Sequence, residues 1–241
     1  STSLVSSLSN EDFKSSAIGS EYDFSNVTLT TIHTDYIWRT KLRTRVFLKY
    51  GTGSNLARES ATFLAGASPE DMMDSKYSRS AGFYADQWYG YGADVNHLQF
   101  GGGMNLRGYA GYLIPEEENN GNSIGYYYSG NGGAAINIEW DFRDIIKWKP
   151  KKLSQYFRFD CYLFADAGVI NKKFNGTELD FTDVRIDAGV GTALTIKKFG
   201  PLQNVEPLTI RFDMPLFLNR IPAVQSDYLA FRWVLGVSRA F

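Results

Sequence analysis

The sequence predicts an all-β chain whose antiparallel strands form a transmembrane β-barrel. Three observations support this fold class. Apolar and polar residues alternate with a period of two in six segments, and the connections between segments alternate between short and long. No stretch approaches the roughly 20 apolar residues that a membrane-spanning helix needs. Barrel strands need only about 9–11 residues of alternating character, so the mean hydropathy of -0.27 is compatible with this fold.

The alternation divides each predicted strand into an apolar face and a polar face. At residues 42–50, for example, Leu42 and Val46 alternate with Arg43 and Arg45. The same split recurs at residues 136–143, 157–169, 184–194, 208–216 and 229–241. A soluble β-sandwich would produce the same parity. Here the polar faces mix both charge signs with glycines and bulky aromatic residues, which favours a crowded, wet barrel lumen.

The positions of aromatic residues and the lengths of the connections also favour a barrel. Trp38, Trp140, Trp148 and Trp233 lie at or near strand ends, where they can sit at the two membrane interfaces. A tight turn precedes Lys41, and a long outer loop covers residues 51–132. Residues 1–21 are rich in Ser and hold either one more strand or the remnant of a loop.

Composition excludes several classes of function. The net charge of -1 gives no electrostatic case for nucleic-acid binding. Cys161 is the only cysteine, and neither CxxC nor HExxH occurs, so we expect no disulfide framework and no metal site. His33 and His97 have no nucleophile positioned beside them, so the sequence predicts neither an enzyme nor a cofactor.

The stretch from Gly101 to Tyr109 is the most informative part of the chain. Gly101, Gly102 and Gly103 give the backbone unusual freedom, and Arg107-Gly108-Tyr109 then supplies a delocalised cation, a hinge and a ring. This pattern indicates a folded-back loop that carries one Arg to a partner. An ordinary Gly-rich loop with an exposed Arg is the alternative.

Four motifs follow one another from residue 99 to the end. They are the glycine-rich lead into Leu106-Arg107-Gly108-Tyr109, the strand 133–140 with Glu139, the Phe164-x-Asp166-x-Gly168 strand, and the closing segments 189–216 with the terminal Phe241. In this order they resemble the BamA/TamA superfamily of outer-membrane assembly and secretion barrels, also called bacterial surface antigens. Arg239 is a departure from porin-type barrels, which commonly have Tyr third from the end.

The resemblance implies that residues 1–241 are the C-terminal half of a sixteen-stranded barrel and contribute about seven or eight strands. The loop at 51–132 would fold toward the lumen. Because Glu139 and Asp166 share the lumen-facing register of adjacent strands, Arg107 can be clamped between their carboxylates. The last strand would serve as assembly signal and seam through an outward row of apolar residues: Phe231, Trp233, Leu235, Val237 and Phe241.

The function implied by the resemblance is insertion of proteins into the bacterial outer membrane or their translocation across it. The expected partners are the lipid bilayer, client or partner outer-membrane proteins, and an N-terminal barrel portion or periplasmic domain that is not in this chain. Two alternatives stay open. In one, the barrel is the anchor or export module of a surface-directed hydrolase, patatin-like or metallopeptidase, whose catalytic part lies outside this chain. In the other, it is a structural half-barrel that docks partner proteins.

Overall fold

The structure is a computed structural model that describes residues 2–15, 20–74, 97–110, 115–117, 124–142, 154–173, 177–197, 207–221 and 227–241. Strands account for 60% of the residues in the structure and helices for 7%, so the all-β class is confirmed. Among these residues, no helix is long and apolar enough to cross a lipid bilayer.

The described residues form thirteen strands and one short α-helix, α1 at Pro69–Asp74. The strands, in chain order, are β1 Thr2–Ser15, β2 Ser20–Ile37, β3 Thr40–Asn55, β4 Thr62–Phe63, β5 Leu98–Phe100, β6 Pro115–Glu117, β7 Ile124–Tyr126, β8 Ser129–Gly130, β9 Gly133–Asp141, β10 Phe157–Ile170, β11 Arg185–Ile196, β12 Leu208–Leu218 and β13 Val234–Val237. Single 3-10 turns lie at Arg58–Ser60 and Arg107–Tyr109.

Eight of these strands form one antiparallel sheet that curls into a half-barrel, in the order β1-β2-β3-β9-β10-β11-β12-β13. The count agrees with the predicted seven or eight. Strand β1 pairs with β2 from Thr2 to Ser15, so the start of the chain is a strand and not the remnant of a loop. The short β5 adds to the far side of β13, in parallel.

A two-residue turn, Trp38–Arg39, joins β2 to β3, where the sequence predicts a tight connection. Trp38 has a φ of 54°, which is uncommon for a bulky residue and closes the turn. The Thr40 hydroxyl donates a hydrogen bond to the carbonyl of Ile37 at 2.8 Å. The Trp38 side chain projects from this end of the sheet and is 85% exposed.

The two faces of the curled sheet have opposite character. Six neighbouring strands each present an apolar residue on the convex face, with 38% to 43% of its surface exposed: Leu48, Ile136, Leu163, Ile186, Ile210 and Leu235. The concave face instead buries charged and polar residues, including Arg45, Glu139, Asp166, Arg211 and Asp213. This arrangement inverts that of a soluble domain, in which charged residues are mostly exposed.

Part of the long loop fills the concave side of the sheet. Leu64, Met104, Leu106 and Tyr109 from the loop pack with Phe47, Ala135, Ile170 and Leu218 from the strands in one buried cluster. The loop was expected to fold toward this side. Within the predicted range 51–132, β3 continues to Asn55, and residues 75–96, 111–114 and 118–123 lie outside the described residues.

The last strand is shorter than its alternation predicts. Strand β13 ends at Val237, and Ser238, with a φ of 68°, breaks the extended conformation. Phe231 and Leu235 are 70% and 39% exposed, as an outward row requires, whereas Trp233 stacks on the His97 ring and Val237 packs against the buried cluster that includes Phe100. Phe241 leaves that row because the chain turns: the Arg43 guanidinium carbon lies 5.3 Å from the centre of the Phe241 ring.

Candidate functional site

The glycine run folds the loop back before Arg107. Gly102 and Gly103 have φ values of 144° and 53°, which glycine adopts without steric cost. A Cβ atom at Gly102 would stand 2.9 Å from that of Ala67, so the loop packs too closely there for a side chain. The chain then enters the 3-10 turn Arg107–Tyr109, all of which is buried.

The Arg107 guanidinium lies between carboxylates from two adjacent strands. Its Nε and Nη2 atoms donate hydrogen bonds to Oδ2 and Oδ1 of Asp166 at 2.8 and 2.9 Å, and Nη1 donates to Oε1 of Glu139 at 2.8 Å. The Arg107 backbone N–H also donates to Asp166 Oδ2, at 3.2 Å. The three side chains are completely or almost completely buried. Such bidentate, charge-assisted contacts are among the strongest hydrogen bonds in proteins.

Arg107 remains a cation in spite of its burial. Removal from water by itself lowers the pKa of the Arg107 guanidinium, a loop group that lies outside the strands. The Asp166 carboxylate raises the Arg107 pKa through charge and hydrogen bonding, and the charge of Glu139 raises it further. Together they hold the Arg107 pKa well above its ordinary value.

Two aromatic rings complete the contacts of the Arg107 side chain. Its Cζ atom lies 4.0 Å from the centre of the Phe164 ring and 5.9 Å from that of Tyr162. Phe164 is the cross-strand partner of Glu139, so the ring and one carboxylate come from directly opposed positions on β10 and β9. The Phe-x-Asp motif therefore supplies both a cation–π surface and an anion to the same guanidinium.

Asn137 and Arg45 also belong to the site, although no sequence motif singles them out. Asn137, the cross-strand partner of Asp166, donates through Nδ2 to Asp166 Oδ1 at 3.0 Å and to the Met104 carbonyl at 3.2 Å. Arg45 donates to Asn137 Oδ1 at 2.8 Å and to the Gly103 carbonyl at 2.6 Å. Their signal in the sequence is position: both share the concave parity, and Asn137 is two residues before Glu139.

Two motif glycines make room for the loop. A Cβ atom at Gly168 would lie 2.8 Å from the Met104 Cε and 3.1 Å from the Leu106 Cδ1, so Gly168 lets the loop side chains approach β10. A Cβ atom at Gly108 would lie 2.6 Å from the Cβ of Asp187. Both distances are shorter than ordinary carbon contacts, which explains why the fit of the loop requires glycine at these positions.

Tyr109 anchors the far end of the turn. Its hydroxyl donates to Asn219 Oδ1 at 2.8 Å, and Asn219 Nδ2 in turn donates to the Val184 carbonyl at 2.7 Å. The Arg185 guanidinium carbon lies 5.7 Å from the centre of the Tyr109 ring. Burial raises the pKa of the Tyr109 phenol, so the hydroxyl stays protonated as a donor.

The chain's terminal segment joins the same charge cluster. The second oxygen of Glu139, Oε2, lies 3.7 Å from guanidinium nitrogens of both Arg43 and Arg239. Arg239 also donates to Asp160 Oδ2 at 2.8 Å. Glu139 thus connects the Arg107 turn with the residues that follow β13.

The arrangement is suited to holding the loop in place. Within the described ranges, no group of three or more His, Cys, Asp or Glu side chains is placed to hold a metal ion. Two carboxylates and two aromatic rings surround Arg107 and fix its position, and the Asn137 amide in turn holds Asp166. No family model matches this chain, and no curated protein matches it at a significant level.

Proposed function

We propose that this chain is the C-terminal half of a sixteen-stranded outer-membrane barrel of the insertase or translocase type, in the BamA/TamA superfamily. The observation that carries the proposal is the buried contact of Arg107 with Asp166 and Glu139. The resemblance implies this contact between an Arg-Gly-aromatic turn and two strand carboxylates. This contact attaches the loop to the concave face of the half-barrel. A soluble hydrophobic core would not require such a buried ion pair, and neither would an exposed loop.

The exposed convex face supports placement in a membrane. The six exposed apolar residues named in the fold description come from β3, β9, β10, β11, β12 and β13, so each of six neighbouring strands contributes to an apolar band on the convex face. Soluble monomeric proteins rarely expose contiguous apolar patches larger than a few hundred Å². Contact with lipid hydrocarbon accounts for this band, and the buried charges of the concave face would then line the lumen.

The β2–β3 turn fits a membrane interface. Tyr36, Ile37 and Trp38 are 71%, 53% and 85% exposed. The Lys41 ammonium lies 6.0 Å from the centre of the Tyr36 ring, and the Arg39 guanidinium carbon lies 5.9 Å from that of the Trp38 ring. Aromatic rings beside cations at one end of an apolar band are typical of the boundary between hydrocarbon and headgroups.

The terminal strand supplies a place where a client can pair. Strand β13 pairs with β12 over only four positions, from Ile210↔Val237 to Asp213↔Val234. On its other side, β13 meets only the three-residue parallel segment Leu98–Phe100, and a strand covered over so short a length is a template for strand addition. In the proposed mechanism the client's extended segment adds to this edge while the Arg107 contact keeps the loop attached to the wall.

The proposal is tested by assembly of a client outer-membrane protein in liposomes that contain the full-length protein. We expect the wild type to accelerate client folding and the Arg107→Ala protein to lose most of this acceleration. Lys173→Ala is the matched control, because Lys173 pairs with Glu178 at an exposed position in the connection between β10 and β11.

A second measurement tests membrane embedding directly. In detergent, the folded protein should migrate faster on unboiled gels than on boiled ones. A protein that stays monomeric and soluble without detergent, or liposomes that assemble clients no faster with it than without it, would contradict the proposed function. Export of an attached hydrolase without client assembly would favour the anchor alternative.

A further inference from the structure

The outer edge of β13 is already occupied by the chain itself. Leu98–Phe100 of the long loop lies along this edge with Leu98 opposite Leu235 and Phe100 opposite Val237. Leu235 N–H donates to the His97 carbonyl at 2.7 Å, and Gly101 N–H donates to the Val237 carbonyl at 3.3 Å. Every other pairing in the described part of this sheet is antiparallel, whereas this one is parallel.

Side chains define the position of this segment. The His97 ring stacks on Trp233 with ring centres 4.2 Å apart, and its Nδ1 atom lies 2.8 Å from the Trp233 carbonyl oxygen. Gln99 is fully buried, accepts a hydrogen bond from Arg211 Nη2 at 2.9 Å and donates to the Ala65 carbonyl. The segment is therefore attached to the terminal strand on one side and to the loop on the other.

We propose that Leu98–Phe100 is a placeholder strand, which covers the outer edge of β13 until an extended strand of a client outer-membrane protein displaces it. This inference rests on the proposed function. An uncovered edge is a site for unwanted pairing, and a bound segment of the same chain protects it. A three-residue parallel ladder is less stable per residue than an antiparallel one, so a longer antiparallel client strand can replace it.

The contacts of Arg211 make the exchange feasible. Besides Gln99, Arg211 bonds to the Asp213 carboxylate and, through Nε, to the Ser238 carbonyl at 2.8 Å. When the placeholder leaves, Arg211 therefore keeps an anionic partner and is not left as an unpaired buried charge. The incoming strand would place apolar residues beside Trp233 and Leu235, which is the alternation of a barrel strand facing lipid.

A reversible crosslink tests the inference. In a Cys161→Ser background, Leu98→Cys with Leu235→Cys places two thiols on the paired segments. The matched control, Leu163→Cys with Val190→Cys, joins register partners of β10 and β11, which have no reason to separate. Oxidation of the first pair should slow client assembly about tenfold or more. This is the effect expected if the crosslink lowers the population of the state with an open β13 edge to about a tenth. Reductant should restore it, and oxidation of the control pair should have no effect.

Full client assembly by the oxidised 98–235 protein would overturn the placeholder. If the reduced and wild-type proteins also fail to assemble clients, the proposed function fails, and a separate measurement then decides the inference. This measurement uses a peptide with the sequence of residues 228–241 as a strand that competes with Leu98–Phe100 for the edge of β13. The peptide should slow disulfide closure between positions 98 and 235 severalfold, and a scrambled peptide should not. Closure at an unchanged rate with the first peptide would mean that Leu98–Phe100 is a permanent part of the sheet.

Discussion

The Arg107 guanidinium carbon lies 4.0 Å from the centre of the Phe164 ring, on a side chain whose nitrogens are bound to two carboxylates. The ring covers the cation without competing for its hydrogen-bond donors. A desolvated cation–π contact of this kind contributes about 2 kcal/mol. Phe164 therefore acts on the same group as Asp166, through a different interaction.

Phe164→Leu should lower the free energy of unfolding by about 2 kcal/mol or more, through loss of the cation–π contact and of ring packing. Denaturant unfolding in detergent, followed by tryptophan fluorescence, measures the change. Phe159→Leu is the control, since Phe159 lies on the convex face of the same strand and is 39% exposed. Equal losses for the two variants would show that Arg107 does not depend on the ring.

Arg107→Ala and Asp166→Ala should each destabilise the protein by about 3–5 kcal/mol, because each removes the bidentate partner of a buried charge. The double variant should cost less than the sum of the two. Unfolding free energies, together with protease cleavage within residues 51–132, give the measurement. Arg107→Lys should rescue poorly because it lacks the planar fork. Strictly additive losses would mean that the two side chains act independently.

Gly168→Ala should displace the loop and cost about 1–3 kcal/mol, because the new methyl group meets Met104, Leu106 and the backbone of β9. Met104→Ala removes the nearest atom, so the double variant should cost less than the sum of the two single changes. Limited proteolysis of the loop reports the displacement. Ala165→Val, on the convex face of the same strand, should leave the loop protected, and similar cleavage in both variants would argue against the proposed fit.

Deleting Phe241 should reduce the amount of protein in the outer membrane without reducing its synthesis, if the aromatic end is the assembly signal. Quantitative immunoblots of membrane and whole-cell fractions compare the two amounts. Phe241→Tyr is the control that keeps an aromatic ring at the terminus. Unchanged membrane levels after the deletion would place the signal elsewhere in the chain.

Parity was sufficient to predict strands β3, β9, β10, β11 and β12 and their two faces from the sequence. A two-residue period assigns Leu163 and Ile186 outward and Asp166 inward whether the sheet is flat or curled. The same parity placed Glu139 and Asp166 on one face, and the resemblance then connected them with Arg107. Asn137 lay on that face too, but among several polar residues nothing distinguished it before the register with Asp166 was known.

The end of the chain was less predictable for a physical reason. Phe241 has the parity of the apolar row, but Ser238 takes a left-handed conformation and Arg239 turns to Asp160. A charge contact across the sheet thus overrides the local pattern, and it depends on residues 79 positions apart. The pairing of β5 with β13 likewise depends on the folded loop, since three residues carry no periodicity of their own.

The direct pairing of β3 with β9 imposes an order on folding. Residues 56–132 lie between the two strands, so closing them together carries the entropy cost of a very long loop. The hairpins β9–β10, β10–β11 and β11–β12 are local and can form early. Arg107 has its partners only when β9 and β10 already stand side by side. We therefore expect insertion of the loop to be a late, slow phase of refolding. Its rate is limited by the prior pairing of β9 and β10.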